Sequence, residues 1–492
     1  MIDLRRTTAL YATIAAVAGL AGAFASAGWT HDFVVLPIDD LIVELTPATI
    51  VNYMIQNVGE EAHYLHQTGA IAIAFGTFAA AAVAGLTVSR WTDRGLVGGA
   101  VSLVLVTGLS LFATGAAVPA VTAGVAAGTV VAVGAIDVRS PERTDRPVWS
   151  RRTAIGSIAG VISFSGIALI VGGLITDREI DVDEPLADER GRVASLLETA
   201  DESALDSPHI DPPVSEIGDF YTVDITSAPP VIDRAAWTFT IRGAVEESIT
   251  IDYNELREAE RVDRFMALRC IGEDLNDTLL DTAVWSGTPI RSLLERAGPE
   301  GEYVELHSAD GYESTFSIDH LWDGLLVYGM NGQLLPREHG HPVRVLMPDT
   351  WGKLNNKWIT EIVIRVDPSE GYWEERGWSS EAPITAVAKL WTVEHLEAGA
   401  MEIGGHAYAG SRGVDRVEVS TDGGDTWDEA ELADPLPDDD VTRQWRYRYE
   451  ATEPHEVVVR TVDGEGAVQP STESGSFPDG PSGWVRREID PR

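Results

Sequence analysis

The chain has 492 residues, 44% of them apolar, and a formal charge of −41. That length implies two to four folding units rather than one core, and the apolar content excludes an acidic disordered chain. The negative charge excludes a nucleic-acid partner, whose phosphates it would repel. The charge is unevenly placed: residues 1–176 hold 11 acids and 9 bases, and the remainder holds 66 and 27. Only Lys353, Lys357 and Lys389 are lysines, against 33 arginines. Acid excess with so little lysine is what adaptation to molar salt produces, where screening removes the self-repulsion, and it points to a halophilic source. A single cysteine, Cys270, forbids an intrachain disulfide.

The first third predicts a transmembrane helical bundle. Apolar stretches near 9–28, 68–88, 96–117, 119–136 and 154–175 each approach the roughly 20 residues that cross a hydrocarbon core. They are rich in Gly and Ala, as where membrane helices pack closely. Pro119 and nearby glycines also allow a re-entrant reading of 119–136. Arg5 and Arg6, Arg90 and Arg94, and Arg139, Arg143, Arg146, Arg151 and Arg152 fall in alternate connections, whereas 29–67 has no Lys or Arg. The positive-inside rule then places 29–67 and everything after Thr176 outside the cytoplasm; one miscounted span would reverse the latter. Arg5-Arg6 ahead of an apolar run also fits a twin-arginine export signal, or ordinary topogenic arginines.

Residues 177–215 are acidic and weakly patterned and predict a solvated linker. An α+β domain follows over 216–380. Trp237 to Ile241 alternates as a strand, 285–294 reads as a turn into a short helix, and Ile359 to Val366 as another strand. From 381 to 475 the pattern is all-β: Arg416 to Ser420 alternates into the turn Asp422-Gly423-Gly424, and Trp445, Tyr447 and Tyr449 share one strand face. A tail occupies 476–492.

Taken alone, a lone cysteine reads as a small buried hydrophobe. The surrounding elements alter that. In order, the chain carries Asp219-Phe220-Tyr221-Thr222-Val223-Asp224, Arg269-Cys270, Trp285-Ser286-Gly287, and Ser308-Ala309-Asp310-Gly311-Tyr312-Glu313-Ser314. Met330-Asn331-Gly332-Gln333, His339-Gly340-His341-Pro342-Val343-Arg344, Trp351-Gly352-Lys353 and Lys357-Trp358 come next, then Gly405-His406-Ala407-Tyr408 and Ser420-Thr421-Asp422-Gly423. As an ordered set over roughly 218–470 these resemble the sulfite oxidase family of molybdopterin-dependent oxidoreductases in its membrane-anchored bacterial and archaeal form.

The resemblance implies a sulfite-oxidase-type α+β domain, an immunoglobulin-like β-sandwich that dimerises, and a molybdenum–molybdopterin cofactor. It makes Cys270 the metal ligand, and a soft thiolate suits molybdenum. Arg269 is the adjacent cation, although in a strand it points to the opposite face. Cofactor contacts are implied at Tyr221, Arg269, Asp310, Ser314, His339, Arg344, Lys353 and Lys357. In a chain that has otherwise given up lysine, the i, i+4 pair Lys353 and Lys357 suits the pterin phosphate. Arg412 matches the arginine that the family's sandwich sends to a substrate oxyanion. One departure stands out: the family members nearest the animal and plant enzymes carry an arginine five residues past the cysteine, where this chain has Leu275.

The reaction implied is oxygen-atom transfer, with sulfite or a similar small oxyanion oxidised. The chain has no Cys-x-x-Cys-His haem motif and no cluster cysteines. Its electrons are therefore expected to leave to a separate small copper protein or cytochrome. His31, His63 and His66 read as interfacial rather than as haem ligands. Two rivals remain: reduction of an S-oxide or N-oxide of the methionine sulfoxide type, and a catalytically inactive membrane-tethered binding protein.

Overall fold

The computed structural model describes residues 2–58, 62–138, 148–180, 190–226, 228–396 and 399–491. Glu60, Glu61, Arg139, Arg143 and Arg146 lie outside the described residues. The chain forms two compact units, one of residues 1–47, 59–181 and 224–231, the other of residues 48–58, 182–223 and 232–492.

Among the described residues seven helices come first: α1 (Ile2–Ala27), α2 (Val35–Leu45), α3 (Ala48–Asn57), α4 (Ala62–Thr92), α5 (Gly95–Thr114), α6 (Ala117–Val138) and α7 (Val148–Ile180). All but α3 belong to the first unit. Among the described residues four helices are long and apolar enough to cross a membrane, over 6–27, 62–92, 95–114 and 117–135. The fifth predicted stretch lies in α7, whose described apolar part, Ala159–Ile175, is shorter. The stretch at 119–136 is one continuous helix. Pro119 sits in its first turn, where the missing N–H costs nothing.

Glycine sets the helix spacing. A side chain at Gly85 would begin 2.5 Å from the Gly98 carbonyl oxygen, and one at Gly98 2.4 Å from that of Gly85, so α4 and α5 meet backbone to backbone. Gly99 and Gly128 do the same for α5 and α6, each 2.7 Å from the other's carbonyl oxygen. Phe112, Leu96 and Val104 face outward. His66 Nδ1 lies 2.7 Å from the buried Asp39 carboxylate.

The second unit opens differently from the expected linker. Residues 190–203 form α8 (Arg190–Ser203), whose Val193, Leu196, Leu197 and Ala200 pack against Phe265 and Val284. The apolar stripe at helical spacing was hidden by the acidic composition of the segment as a whole. Ten strands follow: β1 (Thr238–Gly243), β2 (Ile249–Asp252), β3 (Val262–Arg269), β4 (Leu280–Pro289), β5 (Tyr303–Ser308), β6 (Glu313–Ser317), β7 (Leu325–Met330), β8 (Gln333–Leu334), β9 (Arg344–Leu346) and β10 (Ile359–Arg365).

They form two sheets, β2-β1-β10-β5-β6 and β3-β4-β7-β8 with β9 on β7. Only β1 and β10 pair in parallel. Helix α9 (Tyr253–Glu258) starts on a capping box in which Asp252 and Glu255 satisfy each other's backbone N–H groups. Helix α10 (Ile290–Ala297) follows Pro289 and ends on Gly298 at φ +62°. Its Ile290, Leu293 and Leu294 join Phe239, Ile241, Val304 and Ile362 in the main core. Met266 and Leu268 of β3 pack on Phe220 and Trp285, while Phe265 and Ala267 pack on other clusters. Both faces are thus covered, which explains the unbroken apolar run.

The described residues of the last part form nine strands: β11 (Val387–Ala388), β12 (Thr392–His395), β13 (Ala400–Tyr408), β14 (Val414–Ser420), β15 (Asp428–Glu429), β16 (Glu431–Leu432), β17 (Arg443–Glu450), β18 (His455–Asp463) and β19 (Val485–Ile489). Two antiparallel sheets result, β11-β13-β17-β16 with β12 on β13, and β15-β14-β18-β19. Met401, Ile403, Val417, Val419, Trp445, Val457 and Val459 fill their core. The same cluster contains Ala267, Ile271, Leu280 and Trp351, so the two parts of this unit share one apolar junction beside Cys270.

Candidate active site

Cys270 follows the last residue of β3, and its N–H donates to the Leu279 carbonyl at 3.0 Å, which extends the β3–β4 pairing past the strand ends. The residue as a whole is half-buried, with its sulfur in the buried part. Burial pushes the thiol up to about 12, with Glu273 and Asp277 adding to that, while the N–H groups of Gly272 and Glu273 donate to the sulfur and favour the thiolate. A soft metal replacing the proton is what such a sulfur needs to ionise.

Arg269 does not serve the sulfur. Its side chain turns into the junction, where Arg269 Nε donates to Glu273 Oε1 at 2.7 Å and Lys389 Nζ donates to the same oxygen at 2.6 Å. All three side chains are 0% exposed. The guanidinium also donates to the Thr385 carbonyl at 2.7 Å and lies 4.8 Å from the Trp351 ring centroid. Burial pulls the Lys389 ammonium down to about 8. Burial also raises the Glu273 carboxyl above the usual range, and the two cations oppose that rise.

Two tyrosines lie on the sulfur's side. Tyr221 is fixed by its N–H, which donates to Asp281 Oδ2 at 2.9 Å, and by its ring, stacked 5.6 Å from that of Phe220. Burial raises its phenol well above the ordinary value; the Cys270 charge adds to this and Arg344 opposes it, which puts Tyr221 within electrostatic reach of both. The Tyr312 hydroxyl donates to the Lys353 carbonyl at 2.6 Å, and the Tyr312 N–H donates to Asp310 Oδ1 at 3.1 Å. The Ser314 hydroxyl donates to Asn356 Oδ1 at 2.5 Å.

Beyond Tyr221 lies a basic cradle. Gly340 has φ +113°, and a side chain there would begin 3.0 Å from Arg344 Cβ and 3.2 Å from Lys357 Cα, so only glycine lets these two approach. Arg344 donates to the carbonyls of His339 and Asn355, both at 3.1 Å. His339 Nε2 lies 3.1 Å from the Ile217 carbonyl and so carries the proton there. Burial, then Arg344, pull His339 down to about 4, which leaves it neutral at pH 7. Lys357 Nζ donates to the Glu338 carbonyl at 2.9 Å and sits 5.0 Å from the Trp358 ring centroid.

A soft sulfur donor at one end, a tyrosine between, and two cations with a neutral imidazole at the other match a metal dithiolene whose pterin ends in a phosphate. The residues present therefore fit the molybdenum cofactor. Residues 226–373 match the family model described as an oxidoreductase molybdopterin binding domain, and 378–476 match the Mo-co oxidoreductase dimerisation domain. The chain belongs to the sulfite oxidase family of molybdopterin-dependent oxidoreductases.

Among relatives in that family, the sulfite oxidase of Arabidopsis thaliana is 25% identical over 308 residues, covering 49% of this chain and 78% of the plant protein. The mitochondrial sulfite oxidase of Rattus norvegicus is 27% identical over 299 residues, covering 49% of this chain but only 55% of the rat protein. The chain thus spans about half the length of the mammalian relatives it matches. Among solved structures, the sulfane dehydrogenase SoxCD from Paracoccus pantotrophus superposes with a TM-score of 0.47 at 20% identity, over 55% of this chain and 76% of that one.

Within this sulfite oxidase family site the expected residues fall into separate groups. Tyr221, His339, Arg344 and Lys357 come together. Lys353 parts from Lys357: its ammonium forms a buried ion pair with Glu374. The reason is local, since only Gly352–Leu354 is helical, as a short 3₁₀ turn, and Trp358 has φ +50°, so no i, i+4 face exists. Arg412 donates to Asp463 Oδ2 at 3.0 Å and to the Ile384 carbonyl at 2.9 Å, and lies 3.6 Å from Asp349 Oδ1. Glu273 and Lys389 were not anticipated, although Lys389 carried a usable signal as the third lysine of a lysine-poor chain. Ile55 and Trp378, which lie with the Cys270 sulfur within 4 Å of a side chain built at Gly272, were not anticipated either, and Ile55 had no signal at all, being over 200 residues away in sequence.

Proposed function

We propose that this protein is a membrane-anchored molybdopterin oxidoreductase that transfers an oxygen atom to sulfite or a similar small oxyanion and passes the electrons to a separate carrier, a small copper protein or cytochrome. The observation that carries the reading is Cys270 beside Tyr221, whose phenol feels both Cys270 and Arg344, together with the Arg344–Lys357 cradle that Gly340 allows. When bound, the molybdenum cofactor supplies two-electron oxygen-transfer chemistry. Cys270 holds the metal through Sγ, and the Gly272 and Glu273 amides stabilise the negative sulfur. Arg344 and Lys357 hold the phosphate, with neutral His339 packed beside them. Tyr221, Tyr312, Asp310 and Ser314 shape the cavity, and Lys353 fixes its wall through Glu374. Arg412 orients the oxyanion by exchanging its longer contact, to Asp349, for the substrate. We read the sandwich as immunoglobulin-like and as the dimer contact.

The first unit is the anchor, and α3 supports an extracytoplasmic site. Residues 48–58 come from the 29–67 loop, which has no Lys or Arg, yet they pack within the catalytic unit. We read the catalytic unit as lying on that loop's side, outside by the positive-inside rule, with α7 as a fifth crossing. The deciding experiment is molybdenum content and sulfite-dependent dye reduction by the full chain in detergent and high salt, beside Cys270→Ala. About one Mo per chain with turnover is expected in wild type, and the turnover is lost in the variant. A variant that keeps wild-type turnover refutes the assignment.

A further inference from the structure

Helix α3 does more than report sidedness. An ideal side chain at Gly272 would begin 3.3 Å from Ile55 Cγ2, 3.8 Å from Cys270 Sγ and 3.9 Å from the far edge of the Trp378 indole. Ile55, the sulfur and Trp378 thus converge on one point, and the absence of a side chain at Gly272 lets Ile55 seat this close to the sulfur. Ile55 packs in the apolar cluster of Ile271, Trp373 and Trp378.

The helix is clamped there by both ends of one amide. Asn52 Nδ2 donates to the Arg376 carbonyl at 2.9 Å, and Asn52 Oδ1 accepts from Trp378 Nε1 at 3.1 Å. Trp378 is itself held edge-on by Trp373 and Phe477, with ring centroids 6.1 and 5.3 Å away. An apolar wall that left Trp378 N–H buried and unpaired would be costly, so Asn52 is the residue that lets α3 seat.

We propose that α3 forms one wall of the substrate channel over Cys270, and that Ile55 determines specificity by limiting the channel to a small free oxo-acceptor. An S-oxide carried on a peptide side chain needs width that Ile55 and Trp378 remove. This rests on the oxygen-transfer reading for the substrate named, but the geometry does not, and the test separates the two.

Cys270 is the only thiol in the chain, so its alkylation reports access to the site without any molybdenum. The full chain from molybdate-starved cells, in detergent and high salt at one fixed pH, is treated with iodoacetamide or with a bulky fluorescein maleimide, and labelling is followed by intact mass. Wild type should discriminate against the bulky reagent. Ile55→Gly and Asn52→Ala should each raise its relative rate by at least about tenfold, by opening the wall or releasing the helix, while Ile55→Leu should match wild type. Equal size discrimination in wild type, Ile55→Gly and Asn52→Ala, with unchanged melting, overturns the proposal. If the substitutions open the site but the loaded chain oxidises no small oxyanion, the wall stands and the reaction assigned to it falls.

Discussion

The buried Arg269–Glu273–Lys389 group gives the sharpest energetic prediction, because its three members are unequal in sign. One carboxylate sits between two cations with no side-chain exposure, so the group carries one net positive charge. Removing Lys389 as Lys389→Met leaves a balanced Arg–Glu pair and an apolar replacement of similar length. That should change stability by no more than about 1 kcal/mol. Removing the carboxylate as Glu273→Gln leaves two uncompensated cations in an apolar junction and should cost about 3–5 kcal/mol. In a domain of this size each kcal/mol moves the midpoint by roughly 2–4 °C, so Glu273→Gln should melt about 10 °C lower. The double variant should recover part of the loss. Melting of the full chain is followed by tryptophan fluorescence at pH 7, below the value of about 8 to which burial pulls Lys389 in the wild type. Because the three side chains have no exposed surface, the difference should be the same in low and molar salt, unlike that of a surface pair. Equal losses for the two single variants, or a Glu273→Gln shift that vanishes in salt, would refute the reasoning.

Three further outcomes are expected. His339 is held at about 4, below its ordinary 6.5, so on acidification the unfolded chain takes a proton that the folded chain refuses, and stability is lost as pH falls from 6.5 toward 4. Relative to His339→Gln, wild type should lose about 3 kcal/mol over that range, read from melting curves at stepped pH. Gly340→Ala forces a side chain at φ +113° against Arg344 and Lys357; it should cost about 1–3 kcal/mol and lower molybdenum retention, measured by elemental analysis. Arg412→Gln should raise KM for sulfite about tenfold with molybdenum content unchanged, whereas unchanged KM would assign Arg412 to the Asp463 contact alone.

What the sequence revealed follows the range of the interactions concerned. Alternation along Trp237–Ile241 and Arg416–Ser420 gave β1 and β14 because each strand has one buried face. Cys270 stood out only through the ordered motifs around it. Lys353 and Lys357 stand four apart in sequence but part in the structure because the backbone turns between them. The stripe of α8 was masked by its acidic neighbours. The Glu273–Lys389 contact and the seating of Ile55 near Cys270 join residues more than 100 positions apart. No local pattern encodes such pairs, since burial rather than periodicity brings them together.

The central claim is that Cys270 Sγ is a molybdenum ligand. Its most direct test is the count of sulfur neighbours in the Mo K-edge absorption of the loaded full chain, wild type against Cys270→Ser. One sulfur fewer in the variant, with the pterin retained, is the predicted result; an unchanged sulfur count would contradict the account.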